Sequence, residues 1–326
     1  MTNNNQKDFK TKIGGQALIS GIMMKGPDKE AMAVRQKDGD IFLETKDLPP
    51  QKWYNKAPFV RGVCNFIGQM KSGYVYMMRS ADISGAFDED EEEDEKEQKQ
   101  AKESKFLETL MSIGSVLGVL LFLVLFLFIP TWFFSWFKTL FAADITRFRS
   151  LCEGILRILI FVGYMWLTAF MKEIRETYEY HGGEHKTIRC YERGLSLTVE
   201  NVRGCSRFHP RCGTSFIFLI LAVSIIFYSV VPINSEMFSA TFGVSRFMAD
   251  FLRVACKIVL APVLIGISYE IIRIAGRYDN TATRIISAPG IALQRLTTRE
   301  PNDGQIEVAI KAMEAVIPKV KGSDEW

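Results

Sequence analysis

The chain has little net charge, few cysteines and very few histidines for its 326 residues. Its 40 basic residues nearly balance 37 acidic ones, so a net charge of +3 gives no indication of nucleic-acid binding. Six cysteines are too sparse for a small secreted protein stabilised by disulfides. Glycines cluster near the start, but no G-x-x-x-x-G-K-[ST] phosphate-binding loop accompanies them.

Apolar residues are concentrated in a few long runs, although the mean hydropathy of the chain is only +0.07. Thr109–Phe137 and Gly213–Ser235 contain no charged residue, and about 20 apolar residues suffice to cross a bilayer. Two shorter runs predict further spans once flanking residues are included. The sequence therefore predicts an α-helical membrane protein with about four transmembrane helices, at 106–138, 151–172, 213–235 and 251–273.

The two shorter spans acquire charged residues when they are extended. Glu153 and Arg157 enter the second span, where they can pair on one helix face. Arg253, Lys257 and Glu270 enter the fourth span near its ends. One interpretation, which we favour, places these charges at the membrane interfaces. The other is a functional polar path, because charge inside a bilayer is costly.

The distribution of Lys and Arg predicts the orientation of the chain in a membrane. The central loop 173–212 and the C-terminal tail 274–326 are rich in these residues, whereas the other two connections hold few. The residues before the first span are mostly polar, so we expect no secretory signal. We therefore expect a multi-pass protein of the cell membrane with both termini in the cytoplasm.

The N-terminal region, 1–86, is predicted to be a small cytoplasmic α+β module. Two short strand-like runs flank Asp38-Gly39-Asp40, which favours a hairpin. Phe59–Met78 has apolar residues at helical spacing and predicts an amphipathic helix. That helix would either lie in the membrane interface or pack its apolar stripe on the hairpin. A strongly acidic segment, 87–105, is predicted to be a solvated linker.

All three histidines of the chain fall in the central loop, at His181, His185 and His209. The first two belong to the stretch H-G-G-E-H, which has the H-x-x-E-H pattern of inverted zinc proteases. On a helix, positions i and i+4 share a face, so both imidazoles could bind one Zn²⁺. Glu184 would lie beside the metal and could accept a proton from water.

Further candidate ligands follow in the same loop. His209 would complete three protein ligands and leave an open position, as catalytic zinc sites require. Cys212, which is separated from His209 by Pro-Arg, would as a fourth ligand close the site and make it structural. Glu192 and Glu200 are alternative third ligands, because inverted zinc proteases usually take a downstream carboxylate.

Another interpretation of this loop needs no metal. Gly182 and Gly183 each cost about 1 kcal/mol inside a helix, so the pair could instead break it. The histidines would then be exposed to solvent, or would bind anionic lipid headgroups together with the nearby arginines.

Four stretches of the sequence carry a resemblance to a known family. They read GGQALISGIMMKGP, HGGEHKTIRCYERG, LTVENVRGCSRFHPRCGTSF and RYDNTATRIISAPGIALQRLTTREP. Together they closely resemble the YqhQ family of bacterial multi-pass membrane proteins, over roughly Ile13 to Ala312. Members are commonly described as predicted metal-dependent enzymes. The resemblance therefore implies a bacterial cell membrane and a metal site at the residues His181, His185, His209 and Cys212.

Three functions are consistent with these patterns. The first is a hydrolase that uses a divalent metal, expected to be zinc, and acts on a membrane-associated substrate at the cytoplasmic face. The second is a non-enzymatic membrane scaffold or partner-binding protein whose central loop is ordered by a structural metal. The third is a transporter, which four spans would support only as an oligomer. The lipid bilayer is the expected partner in each case, anionic headgroups and further copies of the chain are candidate contacts, and no nucleic acid is expected.

Overall fold

The computed structural model describes residues 9–50, 52–86, 114, 116–118, 120–141, 148–231, 233–278, 280–320 and 322–325. The acidic linker predicted at 87–105 and the start of the first predicted span lie outside these residues. The chain divides into two compact units. The first contains Met1–Phe87, Tyr164–Ile220 and Ala261–Trp326, and the second contains Asp88–Gly163 and Leu221–Leu260.

The first unit contains a four-stranded antiparallel sheet whose strands follow one another in chain order. The strands are β1 (Gly14–Leu18), β2 (Gly21–Lys25), β3 (Lys29–Arg35) and β4 (Ile41–Asp47). The predicted hairpin is confirmed, because β3 pairs with β4 from Arg35 opposite Ile41 to Lys29 opposite Asp47. Gly39 in the connection has φ of +91°, a conformation that glycine adopts without strain.

The described chain is mostly helical. The helices are α1 (Val60–Ser84), α2 (Ile129–Phe141), α3 (Arg149–Thr168), α4 (Lys172–Glu192), α5 (Val199–Arg203), α6 (Gly213–Val230), α7 (Ser235–Phe242), α8 (Arg246–Arg277), α9 (Thr281–Thr297) and α10 (Asp303–Val316). A π-helical turn, Val124–Phe128, precedes α2. The amphipathic helix predicted from Phe59 is confirmed as α1, and the segment 173–212 is largely helical rather than a loop.

Both faces of the sheet are buried, because successive side chains of a strand point to opposite sides. Met23 and Met32 pack with Tyr76 of α1 on one face. On the other face, Ile22 and Met24 join the core formed by α4 and α10. A sheet with two apolar faces needs a cover on each, and α1 covers only one. The N-terminal region therefore shares its core with helices from the central and C-terminal segments.

Four helical stretches are long and apolar enough to cross a membrane. They are Val116–Thr139, Arg149–Thr168, Gly213–Val230 and Arg246–Arg277. Each overlaps one of the four spans predicted from the sequence. The last is much longer than the predicted span 251–273, and it continues through Pro262 to Arg277.

Five charged residues of the second unit form a network centred on Glu153, which is fully buried. The Glu153 carboxylate lies 2.9 Å from Arg149 Nε, 3.1 Å from Arg157 Nη2 and 3.0 Å from Arg253 Nη1. Lys257 Nζ lies 3.5 Å from the same group. The predicted pairing of Glu153 with Arg157 is thus confirmed. Because a buried charge must be paired, this network explains how α3 and α8 carry ionised groups.

Candidate metal centre

Helix α4 runs through the H-G-G-E-H stretch without a break, so the pair of glycines does not end it. A Cβ on Gly182 would overlap the carbonyl oxygen of Arg299. At the same place, the Arg299 N–H donates to the Tyr178 carbonyl oxygen at 2.8 Å. Gly182 is therefore required by close approach of two backbones. The contact between the two backbones compensates for the cost of about 1 kcal/mol that glycine brings to a helix.

The imidazoles of His181 and His185 share one face of α4, with ring centroids 4.4 Å apart. His181 Nδ1 lies 2.8 Å from the Thr297 carbonyl oxygen, and His185 Nδ1 lies 2.6 Å from the Arg207 carbonyl oxygen. A carbonyl oxygen only accepts hydrogen bonds, so each Nδ1 must carry a proton and donate it. In metal sites this contact leaves Nε2 as the ligand atom and fixes the orientation of the ring.

Cys212 is the residue immediately before α6, and its side chain faces the two histidines. Its Sγ lies 3.1 Å from His181 Nε2. The ligand atoms of His181, His185 and Cys212 all lie within 4.8 Å of one another. Burial raises the pKa of the Cys212 thiol, but His181 and then His185 outweigh this effect and hold the pKa well below its usual value. Cys212 is therefore poised to be a thiolate, the form that binds metals.

His181 shows the matching electrostatic effect. Burial lowers the pKa of its imidazole, but the charge of Cys212 and the hydrogen bond to it outweigh this and raise the pKa to about 9. The two side chains can thus exist as an imidazolium–thiolate pair. A metal ion would replace the shared proton, so binding would release a proton.

Glu184 is buried beside this cluster, with 5% of its surface exposed. Its Oε2 has no hydrogen-bond partner among the described residues. Burial raises the pKa of the carboxyl group, and the charges of His181 and His185 counteract only part of that effect. A buried carboxylate oxygen without a partner is costly unless another ligand or a water molecule satisfies it.

His209 lies near the cluster but makes different contacts. Its ring centroid is 5.7 Å from that of His185, whereas its Nε2 lies 3.3 Å from Glu192 Oε2. Arg211 pairs with the same Glu192. His209 is therefore not among the three clustered ligand residues. The other alternative, Glu200, is exposed on α5 and also lies outside that group.

The residues that hold the cluster in place were not identified from the sequence. Gln294 of α9 accepts from His209 N–H at 2.8 Å and donates to the His209 carbonyl oxygen at 2.7 Å. It thereby holds the backbone of the segment that carries Cys212. The carbonyl groups of Arg207 and Thr297 orient the histidines through main-chain atoms, which leave no signal in residue type.

The donor set fits a transition-metal ion. His185 Nε2 is buried and has no hydrogen-bond partner among the described residues, yet it points into a cluster with a second imidazole and a thiolate. An isolated buried acceptor of this kind is unfavourable, and a metal would satisfy it. Two imidazole nitrogens and one sulfur suit zinc, with one position left open in tetrahedral geometry.

Fold and site together define a mostly helical protein with four membrane-length apolar helices and a buried His–His–Cys cluster. Comparison with known proteins identifies the group to which it belongs. Residues 57–319 match the model of DUF1385, described as a protein of unknown function, and the chain belongs to this family.

A particular relative extends the match over nearly the whole chain. The uncharacterized protein YqhQ of Bacillus subtilis (strain 168) is 32% identical over 311 residues, which cover 93% of this chain and 92% of that protein. The resemblance to the YqhQ family is thereby confirmed. No solved structure matches the chain.

Proposed function

We propose that this protein is an integral membrane metalloenzyme that hydrolyses a membrane-associated substrate. His181, His185 and Cys212 would hold the metal, and Glu184 would act as the proton acceptor. The observation that best supports this proposal is the pair of Nδ1–carbonyl contacts of His181 and His185, at 2.8 and 2.6 Å. These contacts direct both Nε2 atoms toward Cys212. Such outer contacts are what metal-ligating histidines almost always make.

Glu184 supports hydrolysis rather than simple metal storage. A bound divalent ion would act as a Lewis acid that activates water for attack. The raised pKa of Glu184 and its unpaired Oε2 suit it to accept the proton of that water and to pass it to the leaving group. One water is then consumed for each bond cleaved, and Glu184 returns to its original state.

The burial of the site favours a second candidate, a structural metal. His185 is 1% exposed and Glu184 is 5% exposed. In this alternative the ion has no open position for substrate, and it joins α4 to the segment before α6. The protein would then be a membrane scaffold or a partner-binding protein.

The proposal includes the location of the protein. Four helices of membrane length support insertion into the bacterial cell membrane. The excess of Lys and Arg in 173–212 and 274–326 supports a cytoplasmic position for both termini and for the metal site.

Cobalt and azide distinguish the two candidates. The detergent-purified protein would be loaded with Co²⁺, and its visible spectrum followed while azide is added. An enzyme with an open position predicts a spectral change on azide binding in the wild type and in Glu184→Gln. A closed structural site predicts no spectral change with azide in the wild type or in Glu184→Gln. Glu200→Gln, which changes an exposed glutamate of the same segment, is the matched control.

A further inference from the structure

Helix α1 exposes an apolar stripe along one side. Ile67, Met70 and Tyr74 are 60%, 58% and 66% exposed, and Val60 continues the stripe toward the start of the helix. Their spacing of three, four and seven residues places them on one face. Large apolar side chains that are exposed together on one helix face indicate a surface with a partner.

The sheet does not cover this stripe, because a different side of α1 packs on it. Tyr76 is buried there and donates from its hydroxyl to Glu30 Oε1 at 2.6 Å. Ser80 is buried as well and accepts from the Ile19 N–H at 3.2 Å. The C-terminal part of α1 thus packs on the sheet, together with Met77, whereas Ile67, Met70 and Tyr74 stay exposed.

The first half of α1 packs against two of the membrane-length helices. A Cβ on Gly62 would lie only 2.6 Å from the Tyr269 side chain of α8, so the two helices are in close contact. Arg61 Nε donates to Glu270 Oε1 at 2.8 Å. Phe66 makes an edge contact with Phe216 of α6 at 6.0 Å between centroids. The stripe is thus carried by a helix fixed to the ends of two candidate spans.

The charge of this segment suits a membrane surface. No acidic residue occurs between Trp53 and Ala81, whereas Lys56, Arg61, Lys71 and Arg79 do. Arg61 and Arg79 pair with glutamates, and Lys56 and Lys71 are exposed. Trp53 is 77% exposed just before the helix. Exposed Trp and Tyr with neighbouring Lys are typical of segments that lie at the headgroup level.

We propose that α1 lies in the plane of the membrane interface, with its stripe in contact with lipid. Interfacial helices of this kind insert their apolar face about 5–10 Å into the headgroup and acyl boundary. Lys56 and Lys71 would attract anionic headgroups. The occupant of the stripe is therefore the bilayer itself.

Spin-label accessibility in the full-length protein tests this proposal. A spin-labelled non-natural residue, which avoids the native cysteines, would replace Ile67, Met70 or Tyr74 in nanodiscs of phosphatidylcholine and phosphatidylglycerol. Gln69, exposed on another side of α1, and Glu314, exposed on α10, are the control positions. Collision rates with oxygen, which enters lipid, and with a water-soluble nickel chelate would be measured at each position.

The proposal predicts high oxygen and low nickel accessibility at the three stripe positions, and the reverse at Gln69 and Glu314. High nickel accessibility at the stripe would overturn it, because the stripe would then face water. Low accessibility to both reagents, with magnetic coupling between labels of different molecules, would also overturn it, because a second copy of the chain would then cover the stripe. Neither result depends on the metal centre.

Discussion

Replacing Gly182 with alanine would place a methyl group where the carbonyl oxygen of Arg299 lies. The obstacle is backbone and not a flexible side chain, so the segment that follows α9 must move away from α4. Thr297, the last residue of α9, lies two residues before Arg299, and its carbonyl group orients His181. The substitution should therefore weaken both the fold and the metal centre.

The neighbouring Gly183 is a matched control. A Cβ there would meet its nearest atoms, on Ala309, Gln305 and Pro301, at 3.7 Å, an ordinary contact distance. Overpacking costs about 1–3 kcal/mol, and we expect the upper end at Gly182 because backbone must shift. Alanine returns about 1 kcal/mol of helix propensity at either position. Gly182→Ala should thus lose about 2 kcal/mol, and Gly183→Ala should gain up to about 1 kcal/mol.

The assay is the apparent melting temperature of the three detergent-purified proteins, with metal content measured on the same samples. We expect Gly182→Ala to melt below the wild type and to retain less metal, while Gly183→Ala melts at or above it. Equal stability of the two variants would refute the close approach of α4 to Arg299. Loss of stability in Gly182→Ala with full metal retention would refute the link between that approach and His181.

Three further predictions concern the surroundings of the site and the second unit. Gln294→Ala removes both hydrogen bonds to the His209 backbone, so it should lose about 2 kcal/mol of stability and release metal faster to a chelator. Burial lowers the pKa of His209 from 6.5 to about 4. Between pH 6.5 and 4 the unfolded chain therefore binds more protons than the folded chain, so the stability of the protein should fall as the pH is lowered through this range. His209→Gln should reduce that loss in a series of melting temperatures measured against pH. Glu153→Gln leaves buried cations uncompensated and should cost about 3–5 kcal/mol, whereas the exposed Glu236→Gln should melt like the wild type.

Local signals in the sequence predicted several parts of the fold. Asp38-Gly39-Asp40 between two strand-like runs identified the hairpin, because the turn needs a residue with positive φ. Long uncharged runs identified the apolar helices, because their length alone is informative.

The sequence was less informative where contacts join distant segments. Helices α4 and α10 cover one face of the sheet, but no local pattern in the sequence predicts which helices pack there. Gly182 looked like a helix breaker because its partner, the Arg299 carbonyl, is far away in the chain. His209 looked equivalent to the other histidines, yet its Nε2 contacts Glu192 instead. Residue type identifies candidate metal ligands, but tertiary packing determines which of them lie close enough together to bind a metal.

Metal content tests the central claim most directly. The detergent-purified wild type would be measured by elemental mass spectrometry beside His181→Gln, Cys212→Ser and His209→Gln, with circular dichroism as a check of folding. We predict about one equivalent of zinc or a similar ion in the wild type and in His209→Gln, and its loss in folded His181→Gln and Cys212→Ser. A folded wild-type protein without metal that also fails to take up added Zn²⁺ would contradict the account.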